Sequence, residues 1–172
     1  SEDYIEDSSY YFSNYMHIWG WATWSSRWKD YKKVLTNLDL FRKSDYLSRI
    51  TTSYFAKTQW LYSFYSVNEN KVNTWDFQWY YCVWTNGGLS ILPKVNLVSN
   101  IGFGKNSTHT DNAEHQLANR TTEDYDSFDF KDPDFIRVIA EYDRLNEKVL
   151  FRQSIYSKLK NMIVFQVKNF IY

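Results

Sequence analysis

A mostly helical chain of the α+β or α/β class, with a short sheet and a C-terminal helical appendage, is what this sequence predicts. Three observations carry that prediction. Trp21, Trp24 and Trp28 recur at helical spacing; "TWDFQWYYCVWTN" (74–86) is bracketed by helix start and stop residues; "LSILPKVNLVSNIGF" (89–103) alternates and is rich in branched residues. At 172 residues the chain is long enough to bury a core without disulfide staples. Aromatic residues make up 20%, with only 5 Gly and 2 Pro, so the composition is that of a packed globule and not of a linker.

Along the chain, the acidic, Ser/Asn-rich opening (1–15) has no period and reads as a loop. A helix is predicted from Ala22 to Lys32 on the tryptophan stripe, followed by short helical patterns through 37–71 that end in the polar "VNENKVN". Asn73 or Thr74 can cap the next helix, which puts Asp76 in its first turn, and Gly87-Gly88 stops it. The alternating run after the glycines predicts a strand interrupted at Pro93. "GFGKNSTHTDN" is a loop, and the acidic segment from Asn119 is a connector, so the chain divides into 1–118 and 119–172. Asp132-Pro133 carries a helix-start signal for a helix reaching about Leu150. Beyond it, Ile155, Leu159, Met162, Ile163, Val167 and Phe170 form one apolar stripe flanked by lysines.

Charge and cysteine content exclude several functions. Twenty basic and twenty acidic residues give net charge 0, which leaves no basic excess for nucleic acid. One cysteine, Cys82, cannot form an internal disulfide or a cysteine-rich metal site. "SEDYIEDSSY" is acidic where a signal peptide is basic and then apolar, and no run reaches membrane-spanning length, so a cytoplasmic location is expected. The absence of a starting methionine reads as a piece excised from a longer protein.

Asp76 is the residue that asks for an explanation, because it sits among Trp75, Trp79 and Trp84. Backbone N–H groups at a helix start favour its charged form, so it is either a helix-start acid or a general base beside a ring-lined pocket. Trp79 and Tyr80 lie on its side of the helix, whereas Gln78 projects elsewhere. His109, in a polar loop, is a surface histidine, a metal ligand or a phosphate donor. His115 is too weakly placed to complete a zinc site. The "WGWATW" cluster is a core helix, or else Gly20 lets the backbone approach a ligand between indole walls.

"HIWGWATWSSRWKDY", "NTWDFQWYYCVW", "GGLSILPKVNLVSNIGFG" and "STHT", in this order, resemble the C-terminal half of bacterial family 2-like glycosyltransferases, described as nucleotide-diphospho-sugar transferases. The resemblance covers about Tyr10 to Thr110. It implies the acceptor-side portion of a GT-A type fold whose N-terminal half, with its Asp-x-Asp metal motif, lies outside this chain. It further implies Asp76 as the catalytic base, His109 at the metal–diphosphate, and Trp19, Trp21, Trp24, Trp75, Gln78 and Trp79 around the acceptor sugar. Implied with them are a Mn or Mg ion in the whole enzyme, a nucleotide-sugar donor and a saccharide or glycolipid acceptor, and a fragment inactive by itself. The competing readings are a carbohydrate-binding module without catalysis and a structural docking domain. The C-terminal stripe has two expected uses, packing on the domain or on a second copy, or lying on the anionic inner face of a membrane.

Overall fold

The computed structural model describes residues 8–100, 121–124 and 129–150, and its contacts divide the chain into two compact units. The first comprises Ser1–Ala22 and Ser90–Ile139, the second Thr23–Leu89 and Ala140–Tyr172. Each unit is thus assembled from two separate stretches of chain. The expected division at residue 118 lies outside the described residues, as do His109 and the C-terminal stripe.

In the first unit, strand β1 (Tyr10–Ser13) pairs antiparallel with β2 (Ser90–Pro93), in the register Tyr10–Pro93, Tyr11–Leu92, Phe12–Ile91 and Ser13–Ser90. Within the opening segment, Tyr10–Ser13 is therefore a strand where the composition predicts a loop. Its partner is some 80 residues away, and no local periodicity announces a pairing that distant. Phe12 also bridges Val138 in parallel. Ser9 extends the edge: its N–H donates to the Lys131 carbonyl and its carbonyl accepts from Lys94 N–H. These pairings hold the segment at Lys131 and at Val138 with a bend at Asp134 and Phe135 between them, so Pro133 opens no helix and the next helix begins only at Ala140. β2 ends at Pro93, although Lys94 N–H still donates to Ser9 O, and the predicted continuation gives bends at Lys94 and Val95 and an isolated bridge at Asn100 among the described residues.

Gly20 sits in this unit with φ 62°. A Cβ there would come within 2.6 Å of Val98 Cγ2, so the close approach that the glycine permits is to a valine side chain and not to a ligand. Gly87, with φ 66°, faces open space. Alanine at either position meets the left-handed penalty of about 1–2 kcal/mol, but only at Gly20 is a steric clash of about 1–3 kcal/mol added. Gly20→Ala is expected to lower the urea midpoint clearly more than Gly87→Ala; equal shifts would remove the Val98 contact as the cause.

The second unit is helical. α1 (Ser25–Trp28) is a single turn and buries no residue, α2 spans Leu38–Lys43, and a 3-10 turn covers Tyr46–Arg49. α3 (Tyr54–Asn68) and α4 (Asp76–Thr85) form the centre, and α5 (Ala140–Leu150) joins them through a 2.6 Å hydrogen bond from Thr51 to Glu147. The predicted 22–32 helix is reduced to this one turn: a short helix survives in water mainly through a buried face, and no residue of α1 is buried.

α3 starts where the Ser53 hydroxyl accepts from Ala56 N–H, and it buries Ala56, Trp60, Phe64 and Val67 at three- and four-residue spacing. Asn70, with φ 55°, ends it: Asn70 N–H donates to Val67 O and Lys71 N–H to Ser66 O. α4 ends in the same way on Gly87, with Gly87 N–H on Trp84 O and Gly88 N–H on Val83 O, as the glycine pair predicts. Trp60 stands at the centre of the aromatic core, 4.5 Å from the Tyr80 ring and 4.7 Å from that of Trp84. Phe64 packs edge-on against Tyr81 and Trp84, and Phe41 of α2 closes the layer on Phe64 and Tyr81. Backbone groups of the irregular 32–37 segment are fixed by side chains: Asn68 both accepts from Leu35 N–H and donates to Leu35 O, and Tyr81 OH donates to Thr36 O. That segment stands over one face of α4.

Candidate functional site: a carboxylate beside exposed indoles

Asp76 is the first residue of α4, and the cap position before it is held by Trp75, not by Asn73 or Thr74. Thr74 contributes differently. Its hydroxyl donates to Asp76 Oδ1, which also accepts from Phe77 N–H at 2.9 Å. One carboxylate oxygen is therefore anchored by two local donors, while Oδ2 has no partner among the described residues. The side chain is half-buried. The chemistry available is that of an oriented carboxyl acceptor with an open oxygen.

Around it stands an aromatic group drawn from two segments. Trp28 stacks on Tyr31 at 4.6 Å and 10°, a contact the helical turn produces because the residues are three apart. Trp28 also meets Trp79 at 5.1 Å and Trp75 at 6.3 Å, edge-on. Tyr31 faces the acid closely enough that burial first, and the Asp76 charge second, push its hydroxyl above the ordinary tyrosine range. Trp28 and Trp75 remain 39% and 36% exposed, so both present ring surface to solvent. Trp79 is 6% exposed: it is the wall behind Trp28 and has no face left for a sugar.

The other expected acceptor residues distribute as follows. Trp19 and Trp21, each more than a third exposed, belong to the first unit, whereas Trp24, Trp75, Gln78 and Trp79 belong to the second. Trp24 is the most exposed indole, at 69%. Gln78 is 3% exposed, donates its amide to Thr74 O at 2.8 Å, and lies about 200° round α4 from Asp76, so it serves a different face from the acid. Sequence reasoning placed Trp28 in the stripe but not in the site, and it missed Tyr31 altogether. The i, i+3 spacing of two aromatics was the available signal; what they would face was not visible.

Among the described residues no group of three His, Cys, Asp or Glu side chains could hold a metal ion, and no helix is long and apolar enough to cross a membrane. Cys82 is buried in α4, and burial first, then Asp30, push its thiol up, away from the reactive thiolate. Comparisons with protein-family models, with curated proteins and with solved structures give no match to this chain.

Proposed function

We propose that Asp76, Trp28, Trp75 and Tyr31 form the acceptor site of an inverting glycosyltransferase of GT-A type, with Asp76 as its base. The observation that carries this reading is the carboxylate with one oxygen anchored and the other open, set beside two exposed indoles. An indole face carries negative quadrupole density and attracts the C–H face of a pyranose, which orients a hydroxyl toward the acid. Anchoring Oδ1 fixes the plane of the carboxylate, so the open oxygen can take the proton as the hydroxyl oxygen bonds to the anomeric carbon. The bond from that carbon to the nucleoside diphosphate breaks on the opposite side with its electron pair, which inverts the configuration. Donor binding belongs to residues outside this chain. Mn or Mg would belong with His109 and that donor half; the described residues offer no metal set, and no step above runs through one.

The readout for the acceptor site is direct binding to the chain itself. Calorimetric titration against a panel of oligosaccharides is expected to give saturable binding that Trp28→Ala and Trp75→Ala each weaken by about tenfold, the equivalent of one lost ring contact of about 1.4 kcal/mol. Trp24→Ala lies outside this cluster and is expected to change affinity little. Binding untouched by both substitutions would remove the site. A binding module without catalysis is distinguished by Asp76: in that case its amide variant leaves every activity of the whole protein unchanged.

A further inference from the structure

Asn86 and Gly87 form the one Asn-Gly pair in the chain, and both are exposed where α4 ends. Such a pair carries an intrinsic reaction. The Gly87 amide nitrogen, once it has lost its proton, can attack the Asn86 side-chain carbonyl carbon, and glycine leaves that nitrogen unhindered because it has no Cβ. A new N–Cγ bond closes a succinimide ring, the Cγ–Nδ2 bond breaks, and the amide nitrogen takes a proton from solvent and leaves as ammonia. Water then opens the ring at either carbonyl, giving aspartate or isoaspartate. Nothing is oxidised or reduced.

The closed end of α4 holds this reaction off in three ways. Ring closure needs Asn86 Cβ and Gly87 N eclipsed about the Cα–C bond, and the observed ψ of 5° turns them roughly 120° apart. Gly87 N–H donates to Trp84 O at 2.9 Å, which stabilises the protonated nitrogen and opposes loss of its proton. The Asn86 amide donates to Cys82 O at 2.8 Å, which fixes the side chain against the last turn of the helix. The products do not fit the same end. Either acid loses the donor that meets Cys82 O and adds a negative charge beside carbonyls that already carry the negative end of the helix dipole. Isoaspartate also routes the main chain through Cβ, which lengthens the turn where Gly87 N–H and Gly88 N–H meet Trp84 O and Val83 O.

We propose that Asn86-Gly87 is a modification site gated by the fold: closed α4 protects the pair, and opening of the helix end exposes it to deamidation, whose products weaken that end. The reacting group is the chain's own amide and the co-reactant is water. The site lies at the opposite end of α4 from Asp76, so it does not depend on the role of that residue.

The test is incubation of the whole chain at mildly alkaline pH, native and in concentrated guanidinium chloride, followed by mass spectrometry of the tryptic peptide 72–94. The unfolded chain is expected to show the mass gain of an amide-to-acid exchange at Asn86, and the native chain to show it at least about tenfold more slowly, because reaction is confined to the open fraction. Gly87→Ala places a Cβ beside the attacking nitrogen and is expected to slow conversion of the unfolded chain by about tenfold. Asn86→Asp is expected to have a lower urea midpoint than Asn86→Ala, which loses the same donor without gaining the charge. Equal rates in the native and unfolded chains would overturn the gate, and no conversion in the unfolded chain would overturn the site. A midpoint for Asn86→Asp no lower than that for Asn86→Ala would overturn the weakening of the helix end.

Discussion

Trp60→Ala is expected to destabilise the helical unit by about 3–5 kcal/mol, a large part of the roughly 5–15 kcal/mol that a domain possesses. Trp60 is 1% exposed, and its ring meets those of Phe64, Phe77, Tyr80 and Trp84, all within about 6 Å. Truncation removes the transfer energy of the indole and leaves a hole whose walls are themselves large rigid rings, which cannot collapse into it. Urea denaturation followed by far-UV circular dichroism should show the midpoint fall with little change in slope. Trp24→Ala is the paired control, since a side chain 69% exposed should shift stability by no more than about 0.5 kcal/mol. Equal effects of the two substitutions would place the core elsewhere than on the α3–α4 contact.

On the proposed acceptor-site reading, Asp76→Asn is expected to reduce transferase turnover of the whole protein about a hundredfold or more, with KM for the acceptor little changed. Asparagine keeps the shape and the acceptor oxygen that meets Phe77 N–H, so the start of α4 should stay intact and thermal stability should move little. What it cannot do is take a proton at neutral pH. Loss of rate with retained saccharide binding is therefore the signature of a base, whereas an unaltered rate would return Asp76 to the role of helix-start acid. Thr74→Val is the intermediate case: it releases one of the two anchors on Oδ1, and a smaller loss of rate that Thr74→Ser, which keeps the hydroxyl donor, does not show is the expected mark of a residue that positions the acid.

Local chemistry explains which parts of the site could be read before the fold. That Asp76 occupies the first turn of α4 follows from residues within a few positions of it, as does the stop at Gly87. That its neighbour Trp75 stays 36% exposed while Trp79 is 6% exposed does not follow, because burial depends on residues that arrive from elsewhere, among them Trp28 from 47 to 51 residues earlier in the chain. Gln78 shows the same limit from the other side. Its projection away from the acid is fixed by helical geometry, but its burial depends on where the 30–36 segment lies.

By itself the sequence determined the helix α4 with its acid and its glycine stop, the short helical pattern through residues 37–71, and the interruption of strand β2 at Pro93, since each is decided by propensity, capping or a proline within one turn. Only the tertiary structure decided that Tyr10–Ser13 is a strand, that the residues after Pro133 stay non-helical up to the Val138 bridge to Phe12, and that the tryptophan stripe yields one turn of helix and not three. In each of these, backbone hydrogen bonds or ring burial supplied from far along the chain outweighed a local preference of a few tenths of a kcal/mol per residue. The carboxylate was legible because its environment is its own helix; the aromatic surface around it was not, because burial is a property of the neighbour that arrives.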